Sequence, residues 1–316
     1  MTASPNTGNR QCNWWTRFWH EPIRAEQAAG VRIFFMITLI TDLLVEYIPH
    51  LELFYGPDGV APEGVVDYSN ATLWRWTGFL FRTDNMIAIY IFFGVFLTAC
   101  VLFLIGWKTR WMGVLVYLLT LAFQTRNFMF LNYGDDVLMC ALFLLMFTPS
   151  GKALSLDRWL EKRRHPDRVD NPPMIAPWSI RLFQLQLCLI YFTTGFAKLQ
   201  GEEFFSTTWT EGSTIYYVLN NLRRTRFSYA LVPVPYWITV AMTWSSLAFE
   251  VLFPLLVLFR WTRFWTLWFG VLFHLGIFVF MDIGFFSIYM IALYGAWIPG
   301  KYWDWLLRNK WETEYS

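Results

Sequence analysis

The residues of this sequence best placed to do chemistry are ionisable side chains set inside apolar runs. Lys198 closes one run, Glu250 and His274 lie within two others, and Arg32, Asp42 and Glu46 share a fourth. Arg181 opens the run that ends at Lys198, while Asp135, Asp136 and Asp282 stand at run ends. A charge in an apolar core costs about 2.5–3.5 kcal/mol on insertion scales, so such groups are expected where a partner or a polar cavity receives them. No metal site is expected. Cys100, Cys140 and Cys188 fall inside apolar runs and Cys12 lies alone, which gives neither zinc spacing nor a disulfide framework.

The elements that must position these groups are helices in a bilayer. Of 316 residues, 56% are hydrophobic and 15% charged, and the mean hydropathy is +0.37, a balance foreign to a soluble fold of this length. Aromatic residues, at 21%, suit rings gathered at two membrane interfaces. A net charge of +2 gives no support for nucleic acid, so membrane lipids are the expected surroundings. About 20 apolar residues span the hydrocarbon core. Eight runs approach that length, near 27–48, 86–106, 111–131, 135–149, 178–199, 236–259, 263–281 and 283–299, the fourth and eighth being short. The first reads as a retained span, because no small-residue cleavage site follows a short apolar segment.

Placing the N-terminus inside puts most loop Lys and Arg on the cytoplasmic face, with Arg75, Arg82, Arg126, Arg223, Arg224 and Arg226 outside. The expected fold is therefore an all-α polytopic transmembrane bundle of about eight spans with both termini cytoplasmic. Residues 1–26 form a tail and interfacial segment, 27–299 the membrane domain and 300–316 a second tail. In that frame Arg32, Arg181 and Glu250 lie toward the inner half, where Glu250 is expected to neutralise Arg32 or Arg181. Glu46, Arg126, Asp135, Asp136, Lys198, His274 and Asp282 lie toward the outer half, able to line one shared cavity. Two plainer readings stay open. Lys198 can snorkel its ammonium to the interface beside Glu202, and His274 can be a satisfied core histidine.

The segment Tyr191-Phe192-Thr193-Thr194-Gly195-Phe196-Ala197-Lys198-Leu199, followed by Trp209-Thr210-Glu211-Gly212, resembles the vitamin K-dependent gamma-carboxylase family. That family has Tyr-Phe, Gly, Lys-Leu, Trp and Gly in the same order. Phe273-His274 followed by Ile283-Gly284-Phe285-Phe286-Ser287 is similar to a second family stretch, and Glu250 stands where the carboxylase has an aspartate. The broader resemblance is to the horizontally transferred transmembrane, or HTTM, domain, from about residue 17 to 306. Arg32 with Asp42, the turn Gly56-Pro57-Asp58-Gly59 and Asn132-Tyr133-Gly134-Asp135 resemble its bacterial members.

The resemblance implies catalytic roles for Lys198 and His274, and contacts to a cofactor from Trp209, Gly212, Asn132 and Asp135. The cofactor implied is a reduced quinone of the vitamin K or menaquinone type, which can enter from the lipid. The matching lysine of the carboxylase acts as a neutral amine that deprotonates the hydroquinone, and desolvation favours the neutral form of an amine. The product of oxygen addition then removes a glutamyl proton, and carbon dioxide adds. A peptide or protein substrate is thus implied, in a multi-pass protein of the cell (inner) membrane. Two departures are visible: Asn132-Tyr133 replaces an Asn-His pair, and the large lumenal region that grips the carboxylase propeptide has no counterpart in this sequence. Other bacterial members resemble maturation or immunity factors for secreted peptides, which is the alternative expectation. A transporter is less favoured, because no paired halves are visible.

Overall fold

The computed structural model describes residues 13–60, 83–126, 133–168, 172–201, 206–227 and 233–308, and these are nearly all helical. In chain order the α-helices are α1 (Trp14–His20), α2 (Ala25–Asp42), α3 (Leu51–Tyr55), α4 (Met86–Ile105), α5 (Thr109–Arg126), α6 (Tyr133–Phe147) and α7 (Leu156–Arg164). Then follow α8 (Trp178–Gln200), α9 (Ser206–Glu211), α10 (Thr214–Leu219), α11 (Tyr236–Leu258), α12 (Arg260–Phe280), α13 (Phe286–Tyr294) and α14 (Gly300–Arg308). Two short strands, β1 (Ile23–Arg24) and β2 (Met174–Ile175), pair antiparallel.

Five of the described helical stretches are long and apolar enough to cross a membrane: Ala25–Tyr55, Met86–Ile105, Trp178–Gln200, Tyr236–Leu258 and Arg260–Phe280. The runs expected near 111–131, 135–149 and 283–299 are helical as well, over Thr109–Arg126, Tyr133–Phe147 and Phe286–Trp297. Those three are shorter or more polar, so length and apolarity alone do not make them spans.

Sequence punctuation sets the ends. Asn85 caps α4 by accepting the Ile87 N–H at 2.9 Å and the Ala88 N–H at 3.4 Å. Gly106, at φ 74°, closes the other end in the left-handed conformation that glycine adopts freely. Between α2 and α3 the backbone passes through a π turn, Leu43–Tyr47, and a 3-10 turn, Ile48–His50. Pro49 accounts for the break in regular winding, since it has no N–H to donate and its ring crowds the preceding turn.

Polarity runs opposite to that of a soluble bundle. Arg32 and Arg126 are fully buried, whereas α12 turns Trp261, Phe264, Trp265 and Trp268 outward. Between helices in lipid there is little hydrophobic driving force, so hydrogen bonds and close backbone approach hold them together. Arg126 donates to the Tyr55 carbonyl at 2.8 Å and pairs with Asp84 at 2.7 Å. Helices α8 and α11 run antiparallel, for Tyr191 meets Phe253, Gly195 meets Val251 and Lys198 meets Glu250 in succession.

Candidate functional site

Lys198 and Glu250 form the centre of the site. The lysine Nζ donates to both carboxylate oxygens, at 2.7 and 2.6 Å, and the two side chains are only 11% and 8% exposed. Gly195 makes this possible. It lies one turn before Lys198 on the same helix face, and a Cβ there would sit 2.9 Å from the Val251 backbone nitrogen. Only a residue without a side chain lets α8 and α11 approach so closely. The Trp209 ring on α9 covers the ammonium, with Nζ 4.2 Å from its centroid.

The expected pairing of Glu250 with Arg32 or Arg181 is therefore corrected. Arg32 donates instead to the carbonyls of Ser150 and Leu154, the latter at 2.6 Å. Arg181 donates to Gln184 Oε1 at 2.9 Å and lies over the Phe18 ring. The physical reason is an axial offset. The first half of α11 extends past the end of α8 and is overlaid by α10, whose Ile215 N–H donates to Thr243 Oγ1 at 3.2 Å. Depth counted from the ends of α11 thus misplaces Glu250. The alternative partner Glu202 lies outside the described residues.

A cavity of about 400 Å³ opens beside the pair. Its walls are mostly apolar, including Val137, Ile190, Phe273, Ile277, Phe286 and Met290, with Lys198, Glu250, Trp209, His274, Tyr191 and Asp136 as its main polar or aromatic features. His274, 1% exposed, projects from α12, and its Nε2 lies 2.6 Å from the Tyr191 hydroxyl. Tyr191 in turn shares a hydrogen bond with the Tyr294 hydroxyl. Gly270, one turn before His274, clears the path of Tyr294, because a Cβ there would collide with its hydroxyl. His274 Nδ1 has no hydrogen-bond partner among the described residues.

Sequence reading thus brings Lys198, His274 and Trp209 to one cavity but misassigns several neighbours. Of the outer group, Asp136 lines the cavity, whereas Asp135, Glu46, Arg126 and Asp282 do not. Asp135 is buried on the other side of α6, where Oδ1 accepts from Gln124 Nε2 at 3.1 Å. Arg126 is spent on Asp84, and Asp282 faces Arg226 at 3.9 Å near the surface. Asn132 lies outside the described residues. Gly212 does not line the cavity; at φ 82° it ends α9, with its N–H donating to the Trp209 carbonyl at 3.3 Å, so it sets where Trp209 stands. The α2 C-terminal acid Asp42 is likewise elsewhere, accepting from the Tyr289 hydroxyl at 2.7 Å. Tyr191 sits in the quoted motif yet carries no charge to flag it, and Tyr294 carries no sequence signal beyond an aromatic in an apolar run.

The family model described as the HTTM domain matches residues 21–302. The chain belongs to the HTTM-domain family. No curated protein and no solved structure matches it. The HTTM match spans the cavity and all the helices that build it, and it identifies a membrane protein of the gamma-carboxylase-related family. Within this HTTM domain the lysine, its carboxylate, the tryptophan and the histidine converge from α8, α11, α9 and α12.

Proposed function

We propose that this HTTM protein is a membrane enzyme whose cavity takes a reduced isoprenoid quinone for carboxylase-like or redox chemistry, the Lys198–Glu250 pair receiving the hydroxyl proton. The observation that supports this most is the pair itself, an ammonium and a carboxylate 2.6 Å apart on the wall of a largely apolar cavity. Removing two charges from water costs several kcal/mol per ion, and apolar contact would join α8 to α11 without that cost. A charge pair at this place is best understood as machinery.

The residues present fit such a ligand. Apolar walls suit a ring and prenyl tail, while Lys198, Glu250 and His274 offer polar contacts to ring oxygens. A reduced quinone supplies an oxidisable diol whose reaction with molecular oxygen yields a base strong enough for glutamyl carboxylation, as the family resemblance implies. Lys198 passes its proton to Glu250, becomes a neutral amine and takes the hydroxyl proton in its place, so the pair ends with one added proton. The Trp209 ring favours the cationic end of that exchange. A peptide or protein substrate would meet the same end of the bundle. The eight apolar helices are read as eight spans of the cell (inner) membrane, with both termini cytoplasmic and the cavity toward the outer face.

Lys198→Arg tests the reading. Arginine keeps the charge and can grip Glu250, but its pKa above about 12 prevents it from giving up a proton. Quinol oxidation and bicarbonate incorporation in membranes are expected to fall to background in Lys198→Arg and Lys198→Ala, with folding retained in the former. Full activity in Lys198→Arg would leave a structural lysine and remove the proposal.

A further inference from the structure

Two phenols and an imidazole form a buried chain: Tyr294 hydroxyl to Tyr191 hydroxyl to His274 Nε2. Tyr191 is the only partner the described residues give the Tyr294 hydroxyl, and Tyr191 and Tyr294 are 2% and 4% exposed. The place of the one hydrogen left over gives the chain a direction. If Tyr294 donates to Tyr191 and Tyr191 donates to Nε2, both hydroxyl hydrogens have acceptors. Either sense leaves one hydrogen over. In the first it is the His274 N–H, on a side chain that lines the cavity, where a ligand or water can accept it. In the reverse, with Nε2–H donating to Tyr191 and Tyr191 to Tyr294, it is the hydroxyl hydrogen of Tyr294, which does not line the cavity and has no further acceptor among the described residues, at a cost of about 1–3 kcal/mol. The first arrangement makes Nε2 an acceptor, so the neutral ring carries its hydrogen on Nδ1. That nitrogen is buried, lacks a partner among the described residues, and belongs to a side chain lining the cavity.

We propose that Tyr191 and Tyr294 hold His274 in the tautomer with hydrogen on Nδ1, so that His274 donates a hydrogen bond to an oxygen of the ligand that fills the cavity. The ligand contact rests on the reading of the cavity as a quinone site; the tautomer rests only on the cavity's holding an acceptor, ligand or water, for the Nδ1 hydrogen. Tyr191 and Tyr294 are positioning residues that act through the imidazole. The cavity then offers a fixed N–H donor from α12 and the proton-exchanging Lys198–Glu250 pair from α8 and α11. An aromatic ring bearing oxygens has a contact for each, whereas a plain hydrocarbon leaves the His274 N–H unmet.

Two measurements on the full chain in lipid nanodiscs test this. The first is the ¹⁵N spectrum of protein labelled at histidine, with His274 assigned by substitution. A protonated Nδ1 and a bare Nε2 are expected in the native protein, and mixed tautomers in Tyr191→Phe. A protonated Nε2 in the native protein would overturn the proposal. The second compares binding of 2-methyl-1,4-naphthoquinone with 2-methylnaphthalene, which has nearly the same shape and no oxygens. A preference for the quinone on the order of tenfold is expected. It should persist in His274→Asn, whose amide nitrogen occupies the place of Nδ1, and fall clearly in His274→Phe and His274→Gln to the share that Lys198 supplies. Quinone binding with an unchanged preference in His274→Phe overturns the ligand contact while leaving the quinone site standing. No binding of either compound overturns the quinone site and the contact together, while the spectrum still decides the tautomer.

Discussion

An ammonium left alone in an apolar cavity is worse than either a pair or no charge at all. Glu250→Gln removes the carboxylate from Lys198 and leaves the ammonium with the Trp209 face as its remaining contact among the described residues. Breaking a buried pair in this way typically costs about 3–5 kcal/mol. Thermal unfolding in detergent should therefore shift down clearly in Glu250→Gln, whereas Lys198→Met combined with Glu250→Gln should recover much of the loss because no charge remains. Recovery of stability without recovery of activity would separate the pair's structural role from its chemical one. Unchanged stability in Glu250→Gln would mean that water, not the carboxylate, solvates Lys198. The identity of this partner was not legible in the sequence. A charge inside an apolar run announces that a partner exists, but which partner depends on how two helices are offset along their axes, and the chain between α8 and α11 sets that offset.

At the scale of elements, the approach of α8 to α11 is controlled by one missing side chain. A methyl group at Gly195 would press on backbone, at 2.9 Å from Val251 N and 3.1 Å from the Glu250 carbonyl carbon, and backbone cannot turn aside as a flexible side chain can. Gly195→Ala should therefore push the helices apart, cost about 1–3 kcal/mol as overpacking does, and lower activity by stretching the Lys198–Glu250 contact. Gly276→Ala on α12 is the matched control. A Cβ there meets nothing within 4 Å, and replacing a mid-helix glycine by alanine gains up to about 1 kcal/mol. If both variants unfold alike, helix propensity and not close approach governs this region. The sequence was informative about where helices lie, since each of the eight apolar runs carries one, and Lys198, Trp209 and His274 do converge. It was uninformative about which face of α6 the adjacent acids present: Asp135 and Asp136 are neighbours, yet successive helical residues point about 100° apart, and only Asp136 reaches the cavity.

The whole molecule has two unlike ends. Strands β1 and β2 pair, Arg181 lies over Phe18, and Trp303 of α14 packs on Gly30 of α2, so residues near both ends of the described chain gather at the start of α2 and α8. Arg32 ties the segment around Ser150 and Leu154 to that same end, and α7, which follows, carries Lys162, Arg163 and Arg164 in its last turn. The cavity and the Lys198–Glu250 pair lie toward the opposite end, where α8 stops at Gly201. In the proposed topology a cluster of basic residues in a short loop is retained on the cytoplasmic side, and the cavity then comes within reach of the other face. Single cysteines in a cysteine-free background give the test. Lys162→Cys should react with a membrane-impermeant maleimide only after the membrane is opened, and Tyr217→Cys, on the half-exposed face of α10, should react in intact cells. Labelling in the reverse order would turn the bundle over, and a quinone-linked reaction would then have to find its peptide substrate on the cytoplasmic side.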